Sequence, residues 1–192
     1  LARVGGRDAI DDLFQIAQSD PDPRVSAQAV RALADLTDPV LVHHRLDTGR
    51  GDAKVAVRLA KLAKRDDPRI LLEVIVALGR LRWSESPRWL RETLTEQPDP
   101  AVAHAAMQAL RRAGNWPAVV KLLDGPGASP MRSLATRAIG DVADAAIVDA
   151  LIERLPNETD ADQRRRYADE WPEFFDADLR RLFSADKQFA HQ

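Results

Sequence analysis

Apolar residues recur along this chain at helical spacing, in segments broken by proline and glycine. One segment places Val25, Ala29, Ala32, Leu33 and Leu36 on a single helix face. Upstream, residues 8–18 turn Ile10, Leu13, Phe14 and Ala17 inward. A helix over roughly 52–65 carries Val55, Leu59 and Leu62, and a later one carries Ile147, Val148, Leu151, Ile152 and Leu155 before Pro156. Helix 68–82 is apolar almost all round: Ile70, Leu71, Leu72, Val74, Ile75, Ala77 and Leu78 leave only a strip of Arg69, Glu73 and Arg80. A helix that apolar must be flanked on several sides. No segment alternates with period two between turn residues, so no strand is expected.

Three of these helices open alike. Asp22-Pro23-Arg24-Val25, Asp67-Pro68-Arg69-Ile70 and Asp99-Pro100-Ala101-Val102 are followed by Ala32-Leu33, Ala77-Leu78 and Ala109-Leu110, nine and ten residues after the proline. A fourth copy opens at Ser129-Pro130 and reaches Ala138-Ile139 one residue early. Asp or Ser at such a position caps the free amides of the first turn, and proline at the first helical position loses no needed donor. A shorter second helix follows each first one, opened by Pro39, Pro87 and Pro117 in three cases. The first gap is the longest, and helix 52–65, with Gly49 and Gly51 at its start, is read as the extra element filling it. Such units cannot bury their apolar faces alone and must stack. The expected architecture is all-α, with the repeats over 1–157 and a helical cap over 158–192. In that cap Thr159 or Asp160 starts a helix bearing Tyr167, Trp171, Phe174 and Phe175, and a second helix runs from about Asp176 with Leu179, Leu182 and Phe183.

Ankyrin repeats need a Thr-Pro-Leu-His signature and tetratricopeptide repeats a Trp–Leu-Gly–Tyr pattern, and neither is present. The Asp-Pro-x-Val…Ala-Leu pattern resembles HEAT-like, armadillo-like repeats, in the short variety named after phycobilisome lyases. Longer runs look like the HEAT segment of bacterial haem-binding, membrane-bound dehydrogenase proteins of the planctomycete type. They are residues 72–83 from Leu72 to Trp83, residues 103–112 with Asn115-Trp116-Pro117 and Leu122-Leu123-Asp124, and Arg164-Arg165-Arg166-Tyr167-Ala168-Asp169. After Asp169 the chain departs from that pattern. The resemblance implies a right-handed α-solenoid of about four to five helix pairs, acting as linker or scaffold between catalytic parts. In that family a β-propeller precedes the repeats and a c-type cytochrome domain follows. Neither maps onto these residues, and haem attachment through C-x-x-C-H requires cysteine, of which there is none.

Composition narrows the function further. The 192 residues hold 28 basic and 30 acidic side chains, a net charge of −2, which argues against general nucleic-acid binding. Hydrophobic residues are 45% but aromatics only 5%, so the interior is built from Ala, Leu, Val and Ile. The small net charge and ordinary apolar share disfavour disorder. Charged residues are 30% of the chain and no apolar run approaches about 18 residues, so no membrane insertion is expected. Absence of cysteine removes disulfides, thiolate metal sites and Cys nucleophiles. Residues 1–6 read as a helix end stopped by Gly5-Gly6, as in a piece of a longer protein; the compartment is left open.

Few residues suggest chemistry. His43 and His44 are adjacent, so on a helix they point about 100° apart and cannot chelate one ion alone; Asp47 is near enough to help if the helix ends there, but the pair is read as ordinary surface or turn histidines. His104 is expected to be partly buried and hydrogen-bonded, with no partner for acid–base work. Asp22, Asp67 and Asp99 sit one repeat apart, about 10 Å in a stack, too far to share a metal or proton, and are read as caps. Arg80, Arg82, Arg88, Arg91, Arg111 and Arg112 surround Trp83, Trp89 and Trp116, a composition that could bind nucleic acid by charge and stacking. Arg80, Arg82, Arg111 and Arg112 fall in last turns, however, where cations complement the helix dipole, and Trp83 and Trp116 fall in equivalent turns where they would wedge successive repeats. The Arg164–Arg166 run lies among carboxylates as a solvated face. Gly125-Pro126-Gly127 lacks the Gly-Lys-Ser/Thr of a phosphate loop, and no Gly-x-Ser-x-Gly occurs.

No catalytic, cofactor or metal residue is therefore assigned, and the expected function is non-catalytic binding of a protein partner or of neighbouring domains. In HEAT-like stacks the second helices line the concave side. Their outward residues here would be Asp11, Asp12, Gln15, Arg88, Arg91, Glu92, Lys121, Asp149 and Glu153. Their mixed sign suits a protein better than a polyanion. The alternatives are an accessory segment of a haem-containing dehydrogenase or bilin-lyase-like protein, and nucleic-acid binding through the Arg/Trp residues.

Overall fold

The computed structural model describes residues 6–46, 49–63, 67–124, 129–140, 142, 144–154 and 161. Every element among them is helical. The three Asp-Pro segments start helices as their chemistry requires. They open α2 (Pro23–Thr37), α5 (Pro68–Arg80) and α7 (Pro100–Ala113). Asp22 accepts from the Arg24 amide, Asp67 from the Arg69 and Ile70 amides, and Asp99 from the Ala101 and Val102 amides. The fourth helix of this kind, α9 (Pro130–Ile139), differs: the Ser129 side chain makes no capping bond. The shorter helices are α1 (Ile10–Ser19, after a 3-10 turn at Gly6–Ala9), α3 (Pro39–His43), α4 (Ala53–Leu62), α6 (Ser86–Thr93), α8 (Trp116–Lys121, continued by a 3-10 turn at Leu122–Asp124) and α10 (Ala145–Arg154).

The contacts follow one order. Helix α2 packs on α5, α5 on α7, and α7 on α9. Against these lie α1 on α2, α4 on α5, α6 on α7, and the Leu122–Asp124 turn on α9; α8 in turn touches α6 and α10. Two apolar clusters fill the interior and meet at α5. Its Ile70, Val74, Ala77 and Leu78 belong with residues of α1, α2 and α4, while Ile75 belongs with those of α6 to α10. The half-buried Trp89 packs against both clusters. Helix α5 is thus flanked on several sides, as its composition requires. It approaches α7 so closely that a Cβ on Gly79 would stand 3.1 Å from Ala109 Cα, so the absence of a side chain there sets the spacing.

Three expectations need correction. Helix 52–65 is not the extra element: α4 pairs with α5 and reaches α1 through Arg58, so it takes the place of a second helix, and the five-residue α3 touching α2 is the addition. Val25 is 42% exposed instead of inward. The buried face of α2 is Ser26, Ala27, Ala29, Val30, Leu33 and Ala34, rotated toward α1 and α5. The polar strip of α5 is tied to α2: Arg31 bonds Glu73, and Arg80 bonds Asp35 and Asp38. Helix 68–82 ends at Arg80, and Arg82 takes a positive φ of 51°. The expected cap over 158–192 lies outside the described residues, Ala161 excepted.

Candidate interaction surface

A hydrogen-bonded seam runs along the turns that join long helices to short ones. Arg80 at the end of α5 donates to Asp38 (2.9 Å) and Asp35 (2.7 Å) at the end of α2. The Gly51 amide, just before α4, donates to the Leu81 carbonyl, just after α5, at 2.9 Å. Arg50 donates to Ala113 O and Arg82 to Leu46 O. Asn115, before α8, donates to Ser84 O, before α6, at 2.9 Å. Arg111 donates to the Arg137 and Ala138 carbonyls that end α9, and the Trp116 indole N–H donates to Asp144, which caps α10. These ties gather the ends of α2, α5, α7 and α9 and the starts of α4, α6, α8 and α10 on one edge. The pairs Arg31–Glu73 and Asp35–Arg80 rise in number together, so α2 and α5 run parallel.

That edge fixes what the short helices can show. Helices α1, α4 and α6 each lie against a long helix, α8 touches α6 and α10, and each of the five keeps an exposed face. Asp11, Asp12, Gln15, Arg88, Arg91, Glu92, Lys121, Asp149 and Glu153 are all exposed. Asp11 is shared with Arg58 at 2.7 Å, and the same guanidinium lies 3.8 Å over the Phe14 ring, joining α4 to α1. Arg88 pairs with Glu92 one turn on, at 3.0 Å. The other six make no ion pair with a described residue. The sequence reading missed Lys54, Val57, Arg58 and Lys61, the exposed face of α4. Their spacing opposite Val55, Leu59 and Leu62 marks them as an outward face, a signal that tells only when α4 packs in line with the other short helices and not as an insertion.

The Arg/Trp group does not form one open patch. Arg80, Arg82 and Arg111 are engaged with the seam. Trp116 is buried, and half-buried Trp83 and Trp89 stand tilted at 58°, centroids 6.5 Å apart. Burial opposes the charge on Arg80, but hydrogen bonds to Asp38 and Asp35 outweigh it and hold the guanidinium above its ordinary range. The side-chain hydrogen bond from Arg24 brings the Asp22 carboxyl down to about 2 and raises Arg24, and Glu73 likewise raises Arg31.

His43 and His44 are exposed at the end of α3, where His44 adopts φ 52°. His104 is exposed too, contrary to expectation: Val102, Ala106, Ala109 and Leu110 set the buried phase of α7 and leave Ala101 and His104 outside. Among the described residues no group of three or more His, Cys, Asp or Glu could hold a metal ion. No described helix is long and apolar enough to cross a membrane. No family model, curated protein or solved structure matches the chain.

Proposed function

We propose that the chain is a non-catalytic scaffold, a right-handed α-solenoid of HEAT-like helix pairs that binds a protein partner, or a neighbouring domain, with the free faces of its short helices. The observation that carries this reading is the seam. It sets the starts of α4, α6, α8 and α10 on one edge, so that these helices present exposed side chains side by side. The α2–α5–α7–α9 contact order supports a stack, because each long helix meets the next one along. The exposed residues mix both signs across several helices, which supplies area and complementarity without a reacting group.

A photo-crosslinking amino acid placed in turn at Gln15, Arg91 and Gln28 tests the reading; all three side chains are exposed, the last on α2. In the source cells, Gln15 and Arg91 should give adducts to the same polypeptide or flanking domain, and Gln28 none. Equal adducts from Gln28, or none from Gln15 and Arg91, would contradict it.

A further inference from the structure

Charge is not spread evenly over the short helices. Helices α4, α6 and α8 together carry Lys54, Arg58, Lys61, Arg88, Arg91 and Lys121 against Glu92, with Asp52, Glu85 and Asp124 at their ends. The helices on either side are acidic: Asp11 and Asp12 on α1, which Arg58 joins to α4, and Asp149 and Glu153 on α10, which packs on α8. Lys54, Lys61, Arg91 and Lys121 are exposed and make no ion pair with a described residue. Arg58 and Arg88, though paired, keep 46% and 71% of their side chains in water. Val57, 44% exposed, provides an apolar spot between Lys54 and Lys61.

We propose that this basic band binds an acidic peptide segment, a short Asp/Glu-rich stretch of a protein, lying across α4, α6 and α8. The inference rests on the scaffold reading and names its partner's chemistry. Charge complementarity selects the sign. The borders select the length. Helices α6 and α8 touch, and the start of α4 is tied through Gly51 to the Leu81 carbonyl ahead of α6; at about 10 Å per helix spacing the band from α4 to α8 is about 20 Å across. An extended chain covers that in about six residues at roughly 3.3 Å each. A long polyanion such as nucleic acid would run on over the carboxylates of α1 and α10 and be repelled there. An acidic segment of limited length ends inside the band.

The test uses the full chain and a fluorescent eight-residue Asp/Glu peptide at low salt, with a Lys/Arg peptide of equal length and a 20-nucleotide single strand as comparisons. The acidic peptide should bind tightest, weaken as salt rises, and lose at least about tenfold in affinity when Lys61→Glu and Arg91→Glu are combined. Arg112→Glu, exposed on α7, should change affinity less than twofold. Binding no tighter than the basic peptide, tighter binding of the single strand, or an equal loss with Arg112→Glu would overturn the proposal. Crosslinking at Gln15 and Arg91 reads separately: if adducts form there while the acidic peptide fails, the scaffold stands and only the partner's chemistry is wrong.

Discussion

Arg80 ties three points with one side chain: the last turn of α5, the last turn of α2 through Asp35, and the cap of α3 through Asp38. Asp38 is 8% exposed and also accepts from the Val40 amide, so removing the guanidinium strands a buried carboxylate. Arg80→Ala should therefore lower unfolding free energy by about 2–3 kcal/mol. Asp35→Ala, whose side chain is 55% exposed, should cost less than about 1 kcal/mol. Urea titrations of the two variants check this, and equal losses would show that burial of Asp38 is not the cause. At this scale the sequence told half the story. The Asp-Pro caps were readable because a cap bond spans two or three residues. The role of Arg80 was not, since its carboxylates lie more than 40 residues away. His104 was misplaced for a related reason: an alanine-rich helix such as α7 gives little contrast by which to fix the buried phase.

Helix boundaries followed from local signals, because proline, capping aspartate and apolar period all act within one or two turns. Helix roles did not. The sequence offered two candidates for the helix that follows α2 in the pattern, and the one opened by Pro39 matched the other proline starts. The structure gives the packing to α4, where Leu59 is fully buried, while Leu41 of α3 is 47% exposed. The difference is apolar content: α4 brings Val55, Ala56, Leu59 and Leu62 to the core, whereas five-residue α3 buries only Pro39. Leu59→Ala should cost about 3 kcal/mol and Leu41→Ala no more than about 0.5 kcal/mol, read from denaturant midpoints at unchanged slope. Comparable losses would restore α3 to the role the sequence suggested. The same assignment determines the candidate surface, because it adds the three cations of α4 to the band.

Over the whole molecule, the described long helices contact one another in chain order, α2 with α5, α5 with α7 and α7 with α9, and the two apolar clusters meet at α5. All-helical content was legible from composition and period alone. The order of contacts was implied by the repeats but rests on side chains that no repeat pattern specifies, such as Asn115 bonding Ser84 O and Trp116 bonding Asp144. The nine outward residues were found exposed because the apolar stripe of each short helix fixes its opposite face, and that inference needs no long-range knowledge. Because the chain has no cysteine, pairs of spin labels can be placed without background. Labels at Arg24→Cys and Ala101→Cys, both exposed one residue after the helix-opening proline, should lie about 20 Å apart, two helix spacings. Moving the second label to Ser133→Cys on α9 should lengthen this to about 30 Å. An electron-spin distance for Arg24–Ser133 no longer than that for Arg24–Ala101 would place the helices about a common centre and contradict the proposed linear stack.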